Sequence, residues 1–146
     1  MEIRPYRDED WAVICEIYDL SKPDELAGVV APETICPLDS DSSMKKLFSE
    51  SEIWVAELSS RPVGFAGNRG NMISWLFVHP GFRRLGVASG LLRQLLACLQ
   101  RPVALNVASS NTRARTLYGQ FGFSVEREFT GSFQGTPCSV ARLRLP

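Results

Sequence analysis

Apolar positions recur along this chain with two different periods, and each change of period marks an element. Glu2–Tyr6 alternates polar and apolar residues with Pro5 near its end, the pattern of an edge strand. Trp11, Ile14, Cys15 and Tyr18 then fall at helical spacing, with Asp8 or Asp10 placed to cap the helix. Pro23, Pro32 and Pro37 interrupt any long helix, so residues 19–41 read as loops with at most a turn of helix. Ser40–Glu50 reads as a second short helix with Met44, Leu47 and Phe48 on one face. Ile53–Leu58 and Val63–Asn68 read as strands joined by the turn Ser59-Ser60-Arg61-Pro62. Met72–Val78 is apolar except for Ser74, which predicts a central strand covered on both faces.

The second half continues in the same way. Ala88, Leu91, Leu92, Leu95, Leu96 and Leu99 mark one face of a helix that Pro102 ends. Val103–Val107 reads as a buried strand, and a strand–helix–strand unit implies that it runs parallel to Met72–Val78. Ser109-Ser110-Asn111 opens another helix, with Ala114, Leu117, Tyr118 and Phe121 inside and Gly122 at its end. Ser124–Gly131 and Cys138–Leu145 finish as strands around a Gln134-Gly135-Thr136-Pro137 loop. The expected fold class is α/β, a mixed sheet of about seven strands flanked by about four helices. Its 146 residues suit one domain, 1–146.

The stretch between Val78 and Leu91 carries the clearest chemistry. Gly86 has no side chain and Ala88 nearly none, so a ligand can approach the backbone of the turn. The helix start that follows presents unpaired N–H groups and a positive dipole end, which suits a phosphate or pyrophosphate. Arg83 and Arg84 add guanidinium donors. The turn lacks Gly-Lys-Ser/Thr, which excludes a Walker-type loop.

Val78-x-Pro80-x-x-Arg83-Arg84-x-Gly86-x-Ala88 resembles the acyl-CoA motif of the GCN5-related N-acetyltransferases. Leu105-Asn106-Val107, then Asn111, Ala114, Leu117-Tyr118 and Phe121-Gly122-Phe123, is similar to that family's next strand and helix, so the resemblance covers at least residues 53–123. It implies acetyl-CoA as cosubstrate and a sheet splayed between Met72–Val78 and Val103–Val107. It further implies a cofactor site formed by Leu76, Phe77, Val78, Arg83, Arg84, Leu85, Gly86, Val87, Ala88, Ser89, Asn111 and Tyr118. On this model the backbone of Leu76 and Val78 bonds the pantetheine arm, and the Val78 N–H polarises the acetyl carbonyl. Tyr118 matches the family's tyrosine that protonates the leaving thiolate, although periodicity alone places it in a core stripe. Asn111 is a helix cap by local sequence and a pantetheine contact by resemblance. Many members carry Gly where Arg84 stands; if that position needs φ > 0, Arg is strained there, and the turn is expected to tolerate it with the side chain on a phosphate.

Members of the family often place a basic carboxylate on the central strands, where Ser74 and Trp75 stand here. Glu57, Glu33 and His79 are candidates, and the role stays unassigned. No Cys or Ser lies in a motif for a covalent acyl-enzyme, so the expected reaction is direct transfer to an amine of a small molecule or peptide in a ternary complex. A non-catalytic acyl-CoA sensor is the alternative.

Charge narrows the partners. Sixteen basic and sixteen acidic residues cancel, which disfavours nucleic acid and anionic membrane as partners. Cys15, Cys36, Cys98 and Cys138 are widely spaced and His79 is the single histidine, which points away from a metal site and towards reduced thiols in the cytoplasm. The first residues are charged and lack the apolar core of a signal peptide, and no apolar run approaches the ~20 residues that span a bilayer. Residues 19–41 are acidic and either attract a cationic amine or form a solvated surface. Trp75, Phe129 and Phe133 are candidate apolar walls on the acceptor side, and the last strands leave both a monomer and a homodimer open.

Overall fold

The computed structural model describes residues 1–146. Seven strands form one sheet: β1 (Glu2–Pro5), β2 (Glu52–Leu58), β3 (Arg61–Arg69), β4 (Met72–Val78), β5 (Val103–Ala108), β6 (Ser124–Phe133) and β7 (Thr136–Leu145). Their spatial order is β1-β2-β3-β4-β5-β7-β6, and every pairing is antiparallel except β4 with β5. The expected parallel crossover is therefore present, and a helix lies within it. Four α-helices cover the faces: α1 (Trp11–Glu25), α2 (Ser42–Ser49), α3 (Val87–Cys98) and α4 (Thr112–Gln120).

Each face of the sheet buries its own core. On one side Leu91, Leu92 and Leu95 of α3 and Tyr118 of α4 pack against Val63, Ala66, Leu105 and Leu143. On the other, Ile14, Ile17 and Tyr18 of α1 and Phe48 of α2 pack against Val55, Phe65, Trp75 and Phe77. Successive residues of β4 supply both cores, which explains its nearly continuous apolar sequence.

Three local expectations need correction. The first helix does not stop near residue 18 but runs through Pro23 to Glu25. Proline's fixed φ is itself helical and its missing N–H costs one bond near the helix end, while burial of Ile17, Tyr18, Ser21 and Lys22 holds the last turns down. Neither Asp8 nor Asp10 caps α1 through its side chain. Asp10 instead accepts hydrogen bonds from the Arg7 N–H and the Arg4 guanidinium. The loop expected over Gln134–Pro137 is a two-residue turn, Gln134-Gly135, with both residues at positive φ and the flanking residues already in β6 and β7.

The acidic segment is neither free nor simply solvated. The Asp19 carboxylate accepts from Leu38 N–H, Asp41 caps α2 by accepting from Met44 N–H, Asp24 pairs with Arg83, and Glu25 pairs with Lys22.

Candidate active site

β4 and β5 start as partners and then part. Their register covers Met72 with Ala104 and Ile73 with Leu105, and nothing beyond. On its other edge β4 stays paired with β3 as far as Val78, and the His79 N–H donates to the Val63 carbonyl. Bonding direction alternates along such a ladder, so Phe77 and His79 face β3 while the N–H and C=O groups of Leu76 and Val78 face the gap. β5 is likewise engaged on its far side by β7 up to Ala108. A wedge of unpaired strand edge therefore opens in the middle of the sheet, as expected from the resemblance.

The turn after β4 lies at the mouth of this wedge. Arg84 has φ +63° and Gly86 φ +79°, so the turn does require the left-handed conformation that made Arg84 an unusual choice. Gly86 is the N-cap of α3, and a Cβ built there would meet no atom within 4 Å. No side chain caps α3. The first N–H bonded within the helix is that of Gly90, to the Gly86 carbonyl, which leaves Val87, Ala88 and Ser89 with N–H groups directed out of the helix end.

Wedge and turn belong to one cavity of about 680 Å³. Eleven of the twelve residues named from the sequence line it: Leu76, Phe77, Val78, Arg83, Arg84, Gly86, Val87, Ala88, Ser89, Asn111 and Tyr118. Leu85 is the exception, 60 % exposed and outside the lining. Arg83 Nη1 is 2.6 Å from Asp24 Oδ2, and Arg84 is exposed. Arg113, in the first turn of α4, also lines the cavity and was not singled out from the sequence; its place among exposed α4 residues gave no periodic signal.

On the far wall Asn111 caps α4, its Oδ1 accepting from Ala114 N–H at 3.3 Å, so the local reading of that residue holds. Tyr118 is 6 % exposed and packs edge-on to Phe123 with ring centroids 5.6 Å apart. Burial, with a smaller contribution from the charge of Glu25, raises its phenol pKa well above the ordinary value of 10. The hydroxyl therefore stays protonated across the neutral and mildly alkaline range.

The three candidates for a base lie elsewhere. Glu57 is held by the Arg4 guanidinium on the β1–β2 edge. Glu33 is exposed in a short 3-10 turn, and His79 accepts at Nδ1 from Gly81 N–H with Glu16 3.8 Å from Nε2. None of the three lines the cavity. Its lining carboxylates are Asp24 and Glu25, both from the end of α1, the part of the chain read as loop. Trp75 lines it too, but as a 1 % exposed core residue whose Nε1 donates to Ser51 Oγ.

Comparison with known proteins agrees with this fold. Residues 49–125 match the model of the acetyltransferase (GNAT) domain. The chain is 30 % identical over 131 residues to the uncharacterized N-acetyltransferase YafP of Escherichia coli (strain K12), covering 88 % of this chain and 84 % of that protein. This chain belongs to the GNAT acetyltransferase family. Among solved structures of the same fold, the GCN5-related N-acetyltransferase from Rhodopseudomonas palustris superposes with a TM-score of 0.83 at 23 % identity, covering 98 % of this chain and 93 % of that one. The paiA N-acetyltransferase from Thermoplasma acidophilum, solved in complex with coenzyme A, gives 0.75 at 21 % identity over 97 % and 96 % of the two chains. No helix of this GNAT chain is long and apolar enough to cross a membrane.

Proposed function

We propose that this chain, acting as one domain over residues 1–146, transfers the acetyl group of acetyl-CoA directly to a primary amine of a small molecule or peptide. The observation that carries the reading is the meeting, in one cavity, of the β4–β5 wedge, the uncapped start of α3 and Tyr118. The coenzyme A in the paiA complex supports the same choice of cosubstrate.

Each demand of the reaction has a group to meet it. The N–H groups of Val87, Ala88 and Ser89, with Arg83, Arg84 and Arg113, take the pyrophosphate and phosphate. The main chain of Leu76 and Val78 pairs with the pantetheine amides as an added strand would, and Asn111 offers its free amide N–H to the same arm. The Val78 N–H polarises the thioester carbonyl and stabilises the oxyanion, a contribution of about 3 kcal/mol in the transition state.

Tyr118 gives its proton to the departing sulfur. A phenolate at this buried position is costly, so the phenol must recover a proton in the same event, and the nucleophilic nitrogen is the source. An amine acceptor that is free in solution, in a cytoplasmic setting that keeps Cys15, Cys36, Cys98 and Cys138 as thiols, completes the reading.

Thiol release from acetyl-CoA with a panel of amines is the test. Turnover that falls by about 10²- to 10⁴-fold in Tyr118→Phe, with acetyl-CoA still bound, supports it. Tight binding without thiol release from any amine contradicts transfer and returns the chain to a sensor of acyl-CoA.

A further inference from the structure

The acetyl-transfer reading leaves one step without a group: a primary amine is an ammonium ion at neutral pH and has no lone pair until a proton is removed. The last turn of α1 supplies a carboxylate to the same cavity. Glu25 lines the cavity that Tyr118 also lines, and its charge is felt at the Tyr118 hydroxyl. Asp24, the other carboxylate in that lining, is half exposed and turned towards Arg83 in the turn ahead of α3.

Glu25 is held in an unusual way. Lys22, one turn earlier and 8 % exposed, brings Nζ to 2.5 Å from Glu25 Oε2. This ion pair covers Oε2, which is buried and takes no aligned hydrogen bond. Lys22 itself cannot swing away easily, because Nζ lies 5.6 Å from the Tyr18 ring centroid, 5.5 Å from that of Phe77 and 5.2 Å from that of Phe133. Lys22 holds the carboxylate by Oε2, which leaves Oε1 to receive an ammonium N–H.

We propose that Glu25 binds the ammonium group of the acceptor and takes its proton, and that Lys22 is the positioning residue that braces Glu25; the proposal rests on the acetyl-transfer reading. The acceptor class is an aliphatic ammonium. One N–H proton passes to the Glu25 carboxylate, and the freed lone pair attacks the thioester carbon. The carbon–nitrogen bond forms, the carbon–sulfur bond breaks with its electron pair going to sulfur, and Tyr118 protonates that sulfur. A second proton on nitrogen restores the Tyr118 phenol. The products are the amide and the thiol, and Glu25 releases its proton to solvent.

The experiment compares two kinds of acceptor by thiol release in wild-type protein, Glu25→Gln, Lys22→Met and Lys22→Arg. The ammonium probe is whichever of benzylamine, spermidine and a tripeptide reacts fastest; the neutral probe is methoxyamine, which needs no base. For Glu25→Gln the expected loss in kcat/KM is about 10²- to 10³-fold with the ammonium probe and under about tenfold with methoxyamine. Lys22→Met should show the same selective loss in milder form, and Lys22→Arg should restore part of it. Calorimetry with acetyl-CoA confirms that each variant is folded and loaded. An equal loss with both probes in a variant that binds acetyl-CoA, or no loss at all, overturns the role of Glu25. Wild-type protein that binds acetyl-CoA and releases no thiol with any probe overturns the transfer reading itself, and the proposal with it.

Discussion

Arg83 Nη1 donates to Asp24 Oδ2 across 2.6 Å, and this contact ties the turn ahead of α3 to the last turn of α1. Both residues line the cavity, so on the acetyl-transfer reading a phosphate bound at the turn shares or displaces this contact.

It follows that Asp24→Asn frees the guanidinium, and acetyl-CoA should bind about two- to tenfold more tightly by calorimetry. Arg83→Gln should bind it about tenfold more weakly. The pair lies near the surface, so Asp24→Asn should change unfolding free energy by less than about 1 kcal/mol. Unchanged affinity in both variants would show that Arg83 does not serve a phosphate.

Tyr118 and Tyr18 are buried as neutral phenols, and burial raises both above the ordinary value of 10. The unfolded chain ionises first as pH rises, so the stability these groups contribute is complete below pH 10 and declines above it. Urea midpoints measured through that range should fall, and Tyr118→Phe should fall less steeply. Turnover should show no alkaline decline from Tyr118 below pH 10.

Asp10, 4 % exposed, accepts from both terminal nitrogens of Arg4 at 2.8 Å, and that bonding lowers its pKa. The stabilisation is present above its ordinary value of 3.8 and is lost as pH falls further. Asp10→Ala leaves Arg4 with Glu57 alone in a mostly buried site and should cost about 3 kcal/mol, measured by denaturant unfolding. Acetyl-CoA affinity should not change, because none of these three residues lines the cavity.

Burial, reinforced by Asp39 and Asp19, pushes the Cys15 thiol up to about 11. Its thiolate is scarce at neutral pH, so iodoacetamide should label the exposed Cys98 first and Cys15 at least about tenfold more slowly. Mass spectrometry of a time course reads this directly.

What could be read in advance followed from local chemistry. The apolar β4, the small Gly86 and the capping Asn111 are properties of a few neighbouring residues, and sequence carries them; the positive φ at Arg84 is suggested by the family resemblance and not by its neighbours. The extension of α1 through Pro23 was hidden because a local penalty is outweighed by burial that only the fold provides. By sequence Glu57 is a free carboxylate on a strand and Glu25 one acid of an acidic segment; the fold sets Glu57 against Arg4, and Glu25 against Lys22 and the cavity. Carboxylate roles depend on partners distant in sequence, so spacing alone does not sort them.

Calorimetric titration with acetyl-CoA, repeated on Gly86→Trp, tests the central claim most directly. Space beside Gly86 is empty and its φ is +79°, so a tryptophan both strains the turn and fills the approach to the α3 N–H groups. Micromolar binding by the wild-type protein that weakens at least about 100-fold in the variant, a loss of about 2.7 kcal/mol, is the predicted result. Absence of binding by the wild-type protein, or equal binding by both, would contradict the assignment of this cavity to acetyl-CoA.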